Sequence, residues 1–158
     1  MAPTLLFQID GIDLDAEAFS AERIEQYNPQ RHPLRMLDRI AYESEDLSEL
    51  VAFKHVGHDE FWAPAHIPGR PIFPGVLMIE AAAQLASIQC KRVLGLTDGF
   101  IGFAAVDKVK FRGQVLPGHT LMLLGKQVEA RPRRCIADVQ GWVDGGLVFE
   151  GRVTGMPI

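Results

Sequence analysis

The stretch "PGVLMIEAAAQLASIQCKRVLG", residues 74–95, decides the fold that this sequence predicts. Pro74 suits the first turn of a helix, where a missing backbone N–H costs no hydrogen bond, and no further proline or glycine follows between Val76 and Gly95. The first three turns are almost entirely apolar or alanine, a composition typical of a helix surrounded by other elements. We therefore predict one long helix of about 20 residues, roughly 30 Å in length.

Four segments with β-type sequence follow Gly99, separated by turn residues at intervals of roughly ten residues. They span residues 100–111, 119–130, 134–143 and 147–156. The Asp-Gly-Gly sequence before the last segment is favourable hairpin chemistry. This spacing predicts an antiparallel meander.

The chain before the long helix supplies further elements. Residues 13–27 predict a short amphipathic helix that Asp13 caps and that ends before Asn28-Pro29. Residues 35–44 and 49–56 predict two strands joined by an acidic turn. Residues 57–73 contain three prolines, which indicates a shaped loop.

The composition indicates a single α+β domain over residues 1–158, with a sheet that covers the helix. A net charge of −4 argues against nucleic acid as a partner. No apolar run reaches the roughly 20 residues of a membrane span, and the N-terminus does not resemble a secretory signal, so we expect a cytoplasmic protein.

Cys90 and Cys135 have neither C-x-x-C nor metal-ligand spacing, and we expect buried, reduced thiols.

Four polar residues of the long helix, Glu80, Gln84, Ser87 and Lys91, fall on one stripe. On spacing alone, this stripe is most simply the solvent face of an amphipathic helix. The apolar turns around Glu80 support the alternative, in which the sheet wraps the helix. Burial of a carboxyl group favours its protonated form, which a general acid needs.

His66 lies in the proline-braced loop just before the helix that carries Glu80. An imidazole and a buried carboxyl group form a plausible base and acid pair, although a lone loop histidine is as often structural. The free N–H groups of Gly75 and Val76 at the helix start could bind an oxygen that gains negative charge. Together these groups indicate proton abstraction next to a carbonyl. No metal-ligand spacing, P-loop or dinucleotide motif is present, so we expect neither metal nor cofactor.

The segment "HIPGRPIFPGVLMIEAAAQ", residues 66–84, resembles the signature of the 3-hydroxyacyl-(acyl carrier protein) dehydratases of type II fatty acid synthesis. That family pattern is approximately H-F-P-G-x-P-x-x-P-G-V-L-x-x-E-x-x-A-Q. The flanking segments "HPLRMLDRI" and "AAVDKVKFRGQVLPGHTL" also resemble the family, so the similarity runs from about Tyr27 to the C-terminus.

The resemblance implies a hot-dog fold, in which a curved antiparallel sheet wraps one long central helix. It also implies a homodimer, with further assembly of dimers left open, in which His66 of one chain faces Glu80 of the other. His66 would abstract the α-proton of a 3-hydroxyacyl thioester carried by acyl carrier protein, and Glu80 would protonate the leaving hydroxyl. The N–H of Gly75 would hold the thioester carbonyl, and Gln84 would orient the Glu80 carboxyl.

The same resemblance implies an acyl tunnel lined by Ile67, Pro74 and Val76. The chain departs from the family pattern at Ala65 and Ile67, where glycine and phenylalanine are usual. His32 and His119 stand where tyrosine and aspartate are common. Two alternatives therefore stay open: a hot-dog protein that binds acyl thioesters without converting them and, with less support, a hot-dog thioesterase.

Overall fold

A computed structural model describes residues 2–158. Its two helices are α1, Ala21–Tyr27, and α2, Gly75–Leu94. Its six strands are β1, Arg39–Glu43; β2, Glu49–His55; β3, Ile101–Phe111; β4, Thr120–Arg131; β5, Arg134–Val143; and β6, Gly146–Pro157. The strands form one antiparallel sheet that packs against α2. This is the hot-dog arrangement that the sequence predicts.

Helix α2 has the predicted length and boundaries. It comprises 20 residues, with Pro74 at the N-cap position and Gly95 at the C-cap. Gly95 takes the left-handed conformation, with φ of 65°, and the N–H of Leu96 donates to the Lys91 carbonyl over 2.9 Å. Glycine ends the helix here because it adopts positive φ without steric cost. None of the helices formed by residues 2–158 is long and apolar enough to cross a membrane.

The sheet order is β1-β2-β4-β5-β6-β3, so the predicted simple meander is wrong. Strands β4, β5 and β6 do form consecutive hairpins, and the β5–β6 turn has positive φ at both Asp144 and Gly145. This is the turn geometry that matches strand twist, as Asp-Gly predicts. Strand β3, however, pairs with β6 at the far edge. Sequence patterns predict that strands exist but do not specify their neighbours, which explains the error.

The first helix is shorter than predicted. It begins at Ala21, and Ser20 rather than Asp13 caps it, with Oγ accepting from the N–H of Arg23 at 3.2 Å. Phe19 is instead extended and forms a β-bridge with Ile40. Its ring is buried, so packing of this one side chain overrides the helical periodicity of residues 13–19.

The apolar side chains form two clusters, one on each side of the sheet. The larger cluster fills the space between α2 and the sheet. The smaller one lies beneath the N-terminal segment, where Phe7 packs with Val51, Leu124, Trp142 and Leu147. Gln140 fixes this segment, because its Oε1 accepts from the N–H of Leu6 at 2.8 Å.

Cys90 and Cys135 form a disulfide bond between α2 and β5, so the expectation of reduced thiols is wrong. Both residues are buried, as expected. They are 45 residues apart in sequence, and only the packing of α2 on β5 brings them together.

Candidate active site

Glu80 is held by a neighbour one helical turn away. It is half-buried, and its Oε1 accepts a hydrogen bond from Nε2 of Gln84 at 2.8 Å. The same Nε2 donates to the Leu34 carbonyl at 2.8 Å, and Gln84 Oε1 accepts from the N–H of Met36 at 2.8 Å. Gln84 thus uses both ends of its amide, which fixes the orientation of the group that contacts Glu80. Within residues 2–158, Oε2 of Glu80 accepts no hydrogen bond.

The polar stripe of α2 is not a solvent face. Gln84 is 2% exposed and Lys91 is 3% exposed, while Glu80 and Ser87 are half-buried. Nζ of Lys91 donates to the Gly99 carbonyl at 2.5 Å, which ties the end of α2 to the loop before β3. The buried interpretation of the stripe is therefore confirmed, and the solvent-face interpretation is wrong.

Sequence reasoning missed the partners of Gln84. Asn28 is buried, and its Nδ2 donates to the backbone carbonyl of Gln84 at 2.9 Å. The segment that contains Leu34 and Met36 contributes only backbone atoms to Gln84, so no side-chain pattern could have identified it. The one available signal was that the segment "HPLRMLDRI", which contains Leu34 and Met36, resembles the family.

His66 projects from a loop whose backbone is held at several points. Its N–H donates to the Trp62 carbonyl at 2.8 Å, and the ring Nδ1 lies 2.8 Å from the Ile72 carbonyl. Because a carbonyl oxygen only accepts, Nδ1 must carry the proton in this contact. The neutral imidazole then has its lone pair on Nε2, on an exposed ring. This is the tautomer that a general base acting through Nε2 requires.

The start of α2 offers free backbone donors. The N–H groups of Gly75 and Val76 have no backbone acceptor within residues 2–158, and the helix dipole is positive here. The ring of Phe111 lies over Gly75, since a Cβ on this glycine would lie 2.9 Å from Cε1 of that ring. Glycine at 75 lets the Phe111 ring pack against the helix start, and a side chain there would displace this ring.

An open pocket lies beside Glu80, between α2 and the β3–β6–β5 side of the sheet. It encloses roughly 530 Å³ of empty space, part of it open to solvent. Residues of α2 line one wall, from Glu80 to Ser87, and Pro29 and Gln30 border it. The facing wall comes from the sheet: Ile101, Gly102, Phe103, Cys135, Ala137, Val153 and Gly155.

The other residues predicted for the site do not line this pocket within one chain. His66 and Ile67 are exposed on their loop, Pro74 is buried, and Val76 is 71% exposed at the start of α2. The pocket within one chain therefore includes Glu80 and Gln84 but not His66. The roles of Ile67, Pro74 and Val76 in a tunnel stay predictions.

Apolar side chains are exposed along the edge of the sheet near this pocket. Strand β3 pairs with β6 on one side and has no partner among residues 2–158 on the other. Phe103 is 55% exposed and Phe111 is 52% exposed on this strand. An exposed strand edge with large apolar side chains is a surface that a second chain can cover.

Residues 28–152 match the family model described as a FabA-like domain. The chain belongs to the FabA-like family. It is 36% identical over 132 residues to a 3-hydroxyacyl-[acyl-carrier-protein] dehydratase FabZ of Streptococcus mutans, a match that covers 84% of this chain and 93% of the relative. The FabZ of Streptococcus sanguinis is also 36% identical, over 83% of this chain and 92% of the relative. The resemblance that the sequence motifs indicate is confirmed.

Solved structures support the fold of this FabA-like chain. A dehydratase heterocomplex, ApeI:P of Xenorhabdus doucetiae, matches with a TM-score of 0.72 and 15% identity, over 85% of this chain and 90% of that one. A hypothetical thioesterase of Streptococcus pneumoniae with coenzyme A matches with a TM-score of 0.58 and 15% identity, over 76% of this chain and 84% of that one. At these identities the likeness concerns the fold alone.

Proposed function

We propose that this chain dehydrates 3-hydroxyacyl thioesters carried by acyl carrier protein to trans-2-enoyl thioesters. The observation that carries the proposal is the His66–Glu80 motif in a chain that is 36% identical to a FabZ dehydratase over most of both lengths. The names of those FabZ relatives specify the dehydration of 3-hydroxyacyl-[acyl-carrier-protein]. The expected pathway is fatty acid synthesis, and the expected location is the cytoplasm.

His66 acts as the general base. Its Nε2 takes the proton from the carbon next to the thioester carbonyl, and the electrons of that C–H bond form the new double bond. The hydrogen bond from Nδ1 to the Ile72 carbonyl supports this role, because it holds the lone pair on Nε2 and stabilises the imidazolium that forms.

Glu80 acts as the general acid. As the C3–O bond breaks, its carboxyl group gives a proton to the departing hydroxyl, and water leaves. The Gln84 amide donates to Oε1, which leaves Oε2 for the substrate. A carboxyl group positioned by a fixed amide needs less reorganisation in the transition state.

The N–H of Gly75 holds the thioester carbonyl. Negative charge develops on that oxygen when the α-proton leaves, and a free donor at the positive end of a helix stabilises it. The bare Cα of Gly75 accommodates the Phe111 ring, which packs against it. No metal or cofactor takes part in these steps.

The complete site forms in a homodimer, in which His66 of one chain faces Glu80 of the other. Two features support this proposal: His66 does not line the pocket beside Glu80 within one chain, and the free edge of β3 exposes Phe103 and Phe111. Pairing of β3 with its copy would cover these rings and continue the sheet across both chains.

The carrier protein docks through basic residues near the loop and β3, for which Arg70, Lys108, Lys110 and Arg112 are the candidates. Arg112 pairs with Glu150 at 3.0 Å, which partly neutralises its charge. Of these side chains, Arg112 is therefore the weakest candidate for contact with an acidic carrier.

A spectrophotometric assay tests the proposed function. Purified protein is incubated with a 3-hydroxyacyl thioester, and the absorbance of the conjugated enoyl product is followed over time. We expect enoyl thioester to accumulate. Tight binding without product would indicate the non-catalytic binder, and release of free thiol would indicate the thioesterase. Either result would reject the dehydratase proposal.

A further inference from the structure

An N-terminal segment crosses the outer face of the sheet, which is the face turned away from α2. Residues 4–9, which we call the N-terminal strap, form neither a strand nor a helix, and Phe7 in this strap is 7% exposed. The strap lies outside residues 28–152, which match the family model. It therefore covers the sheet without belonging to the region that identifies the family.

The outer face changes from apolar to charged across three rows of paired residues. The first two rows are apolar apart from one glutamine and comprise Phe53, Met122 and Trp142, then Val51, Leu124 and Gln140. The third row carries charges of alternating sign and comprises Glu49, Lys126, Asp138 and Arg152. The strap packs on the apolar rows. The charged row is left to water, so the cover coincides with the apolar part of the face.

Side chains hold the strap in place. Both ends of the Gln140 amide bind its backbone, since Oε1 accepts from the N–H of Leu6 at 2.8 Å and Nε2 donates to the Thr4 carbonyl at 3.0 Å. Nε1 of Trp142 donates to the same Oε1 at 3.1 Å, which fixes the amide. Within residues 2–158, no backbone–backbone hydrogen bond joins the strap to a strand. The strap can therefore leave without breaking the hydrogen bonds of the sheet.

We propose that the N-terminal strap prevents association through the outer face, and that the partner it excludes is a second copy of this chain. Val51 and Leu124 are fully buried in the cluster that the strap completes, and removal of the strap would expose them with their apolar neighbours. An exposed apolar face of a sheet favours packing of another sheet at about 10 Å.

The pattern of the outer face favours a copy of itself as this partner. Apolar rows complement apolar rows, and a row that carries both signs of charge can pair with the same row of a copy related by a two-fold axis. The face lies on β2, β4 and β5, whereas β3 is at the edge of the sheet beyond β6. Contact through the face does not compete with pairing along β3, and the inference does not depend on the proposed dehydration.

Removal of residues 2–10 tests the role of the strap. The mass of the assembly is measured by light scattering after size-exclusion chromatography, with the full-length protein at the same concentration. We expect the mass to rise at least about twofold relative to the full-length assembly, because each chain gains a self-complementary face. Circular dichroism shows whether the shortened chain is folded.

Two substitutions in the shortened chain locate the contact. Leu124→Lys places a charge within the apolar rows, so we expect the mass to return to the full-length value. Val128→Lys is the matched control, because Val128 is 47% exposed on the same strand and lies outside the apolar cluster of the outer face. We expect the increased mass to persist in this control.

A variant of the full-length chain guards against loss of folding. Phe7→Ser removes the buried anchor of the strap and keeps its other residues, and it replaces the deletion if the shortened chain does not fold. A folded variant with the mass of the full-length assembly would overturn the inference. An increase in mass that Leu124→Lys does not reverse would overturn it too, because association would then use another surface. If neither variant folds, the strap is part of the core and not a cover, and the inference is wrong.

Discussion

At the scale of single residues, the proposed dehydration depends first on His66 and Glu80. We predict that His66→Ala and Glu80→Gln each lower kcat by about 10²–10⁴-fold, the usual contribution of general acid–base groups. Both side chains lie at the surface or half-buried, so the variants should fold normally. The matched control is His58→Ala, because His58 is an exposed histidine outside the site. Turnover above a tenth of wild type in either variant would refute its assignment.

The amide of Gln84 contacts both Glu80 and backbone groups of Leu34 and Met36, so its loss should affect both stability and the proposed catalysis. We predict that Gln84→Leu destabilises the fold by about 2–4 kcal/mol, since the N–H of Met36 and the carbonyl of Leu34 lose their partner. It should also lower kcat, because the Glu80 carboxyl is released from its fixed orientation. Urea unfolding and steady-state kinetics measure the two effects, with exposed Gln26→Leu as the control. A stability loss with unchanged kcat would contradict the positioning role.

Asp46 is an exposed carboxylate held by two serine hydroxyl groups in the β1–β2 turn. Hydrogen bonds from the hydroxyl groups of Ser48 and Ser44 lower the pKa of Asp46 from 3.8 to about 2. A carboxylate whose pKa is lower in the folded state stabilises the protein above the unfolded pKa, and this contribution is lost as the pH falls through the folded pKa. We predict that Asp46→Asn lowers Tm at pH 7 and that the difference from wild type shrinks as the pH falls from 3.8 to about 2. A difference that persists unchanged at pH 2 would contradict this.

At the scale of elements, an ion pair between Arg92 and Glu43 links the end of α2 to the edge strand β1. Its guanidinium donates to both carboxylate oxygens of Glu43, at 2.7 and 2.8 Å, and these hydrogen bonds raise the pKa of Arg92. We predict that Arg92→Ala destabilises the fold by about 1.5–3 kcal/mol, because Glu43 is left without its partner. Denaturant unfolding measures the loss, with exposed Arg133→Ala as the control. A loss no larger than that of the control would refute the role.

The positions of the helices and strands could largely be predicted from the sequence, but the order of the strands in the sheet could not. The length and ends of α2 could be predicted, because Pro74 and Gly95 act locally on the backbone. Strands β3 to β6 could be located for the same reason, since their turns carry recognisable residues. The position of β3 at the far edge could not be predicted, because the pairing of β3 with β6 depends on how the whole sheet wraps α2.

For the candidate site too, the sequence identifies some residues but not the contacts that hold them. His66, Glu80 and Gln84 were identified because their spacing repeats a known family pattern. The contacts of Gln84 with Leu34 and Met36 were not, since they involve backbone atoms about 50 residues away. The Cys90–Cys135 bond was missed because two isolated cysteines carry no sign of spatial proximity.

At the scale of the whole molecule, our proposal is that each chain supplies part of two shared sites. Glu80 and Gln84 border the pocket under the sheet, whereas His66 is exposed on a loop that does not line it. The apolar rings of Phe103 and Phe111 at the free edge of β3 give a second chain a reason to bind there. If the proposed homodimer forms, dimerisation is required for the chemistry as well as for stability.

Mixing two inactive variants tests this central claim most directly. His66→Ala and Glu80→Gln are unfolded together, refolded together and assayed with a 3-hydroxyacyl thioester. In a mixed dimer one site combines intact His66 from one chain with intact Glu80 from the other. Random pairing makes half of the dimers mixed, each with one working site of two, so activity should return to about a quarter of the wild-type value. If the refolded mixture is no more active than either variant alone, while wild type refolded in the same way is fully active, the shared site is wrong.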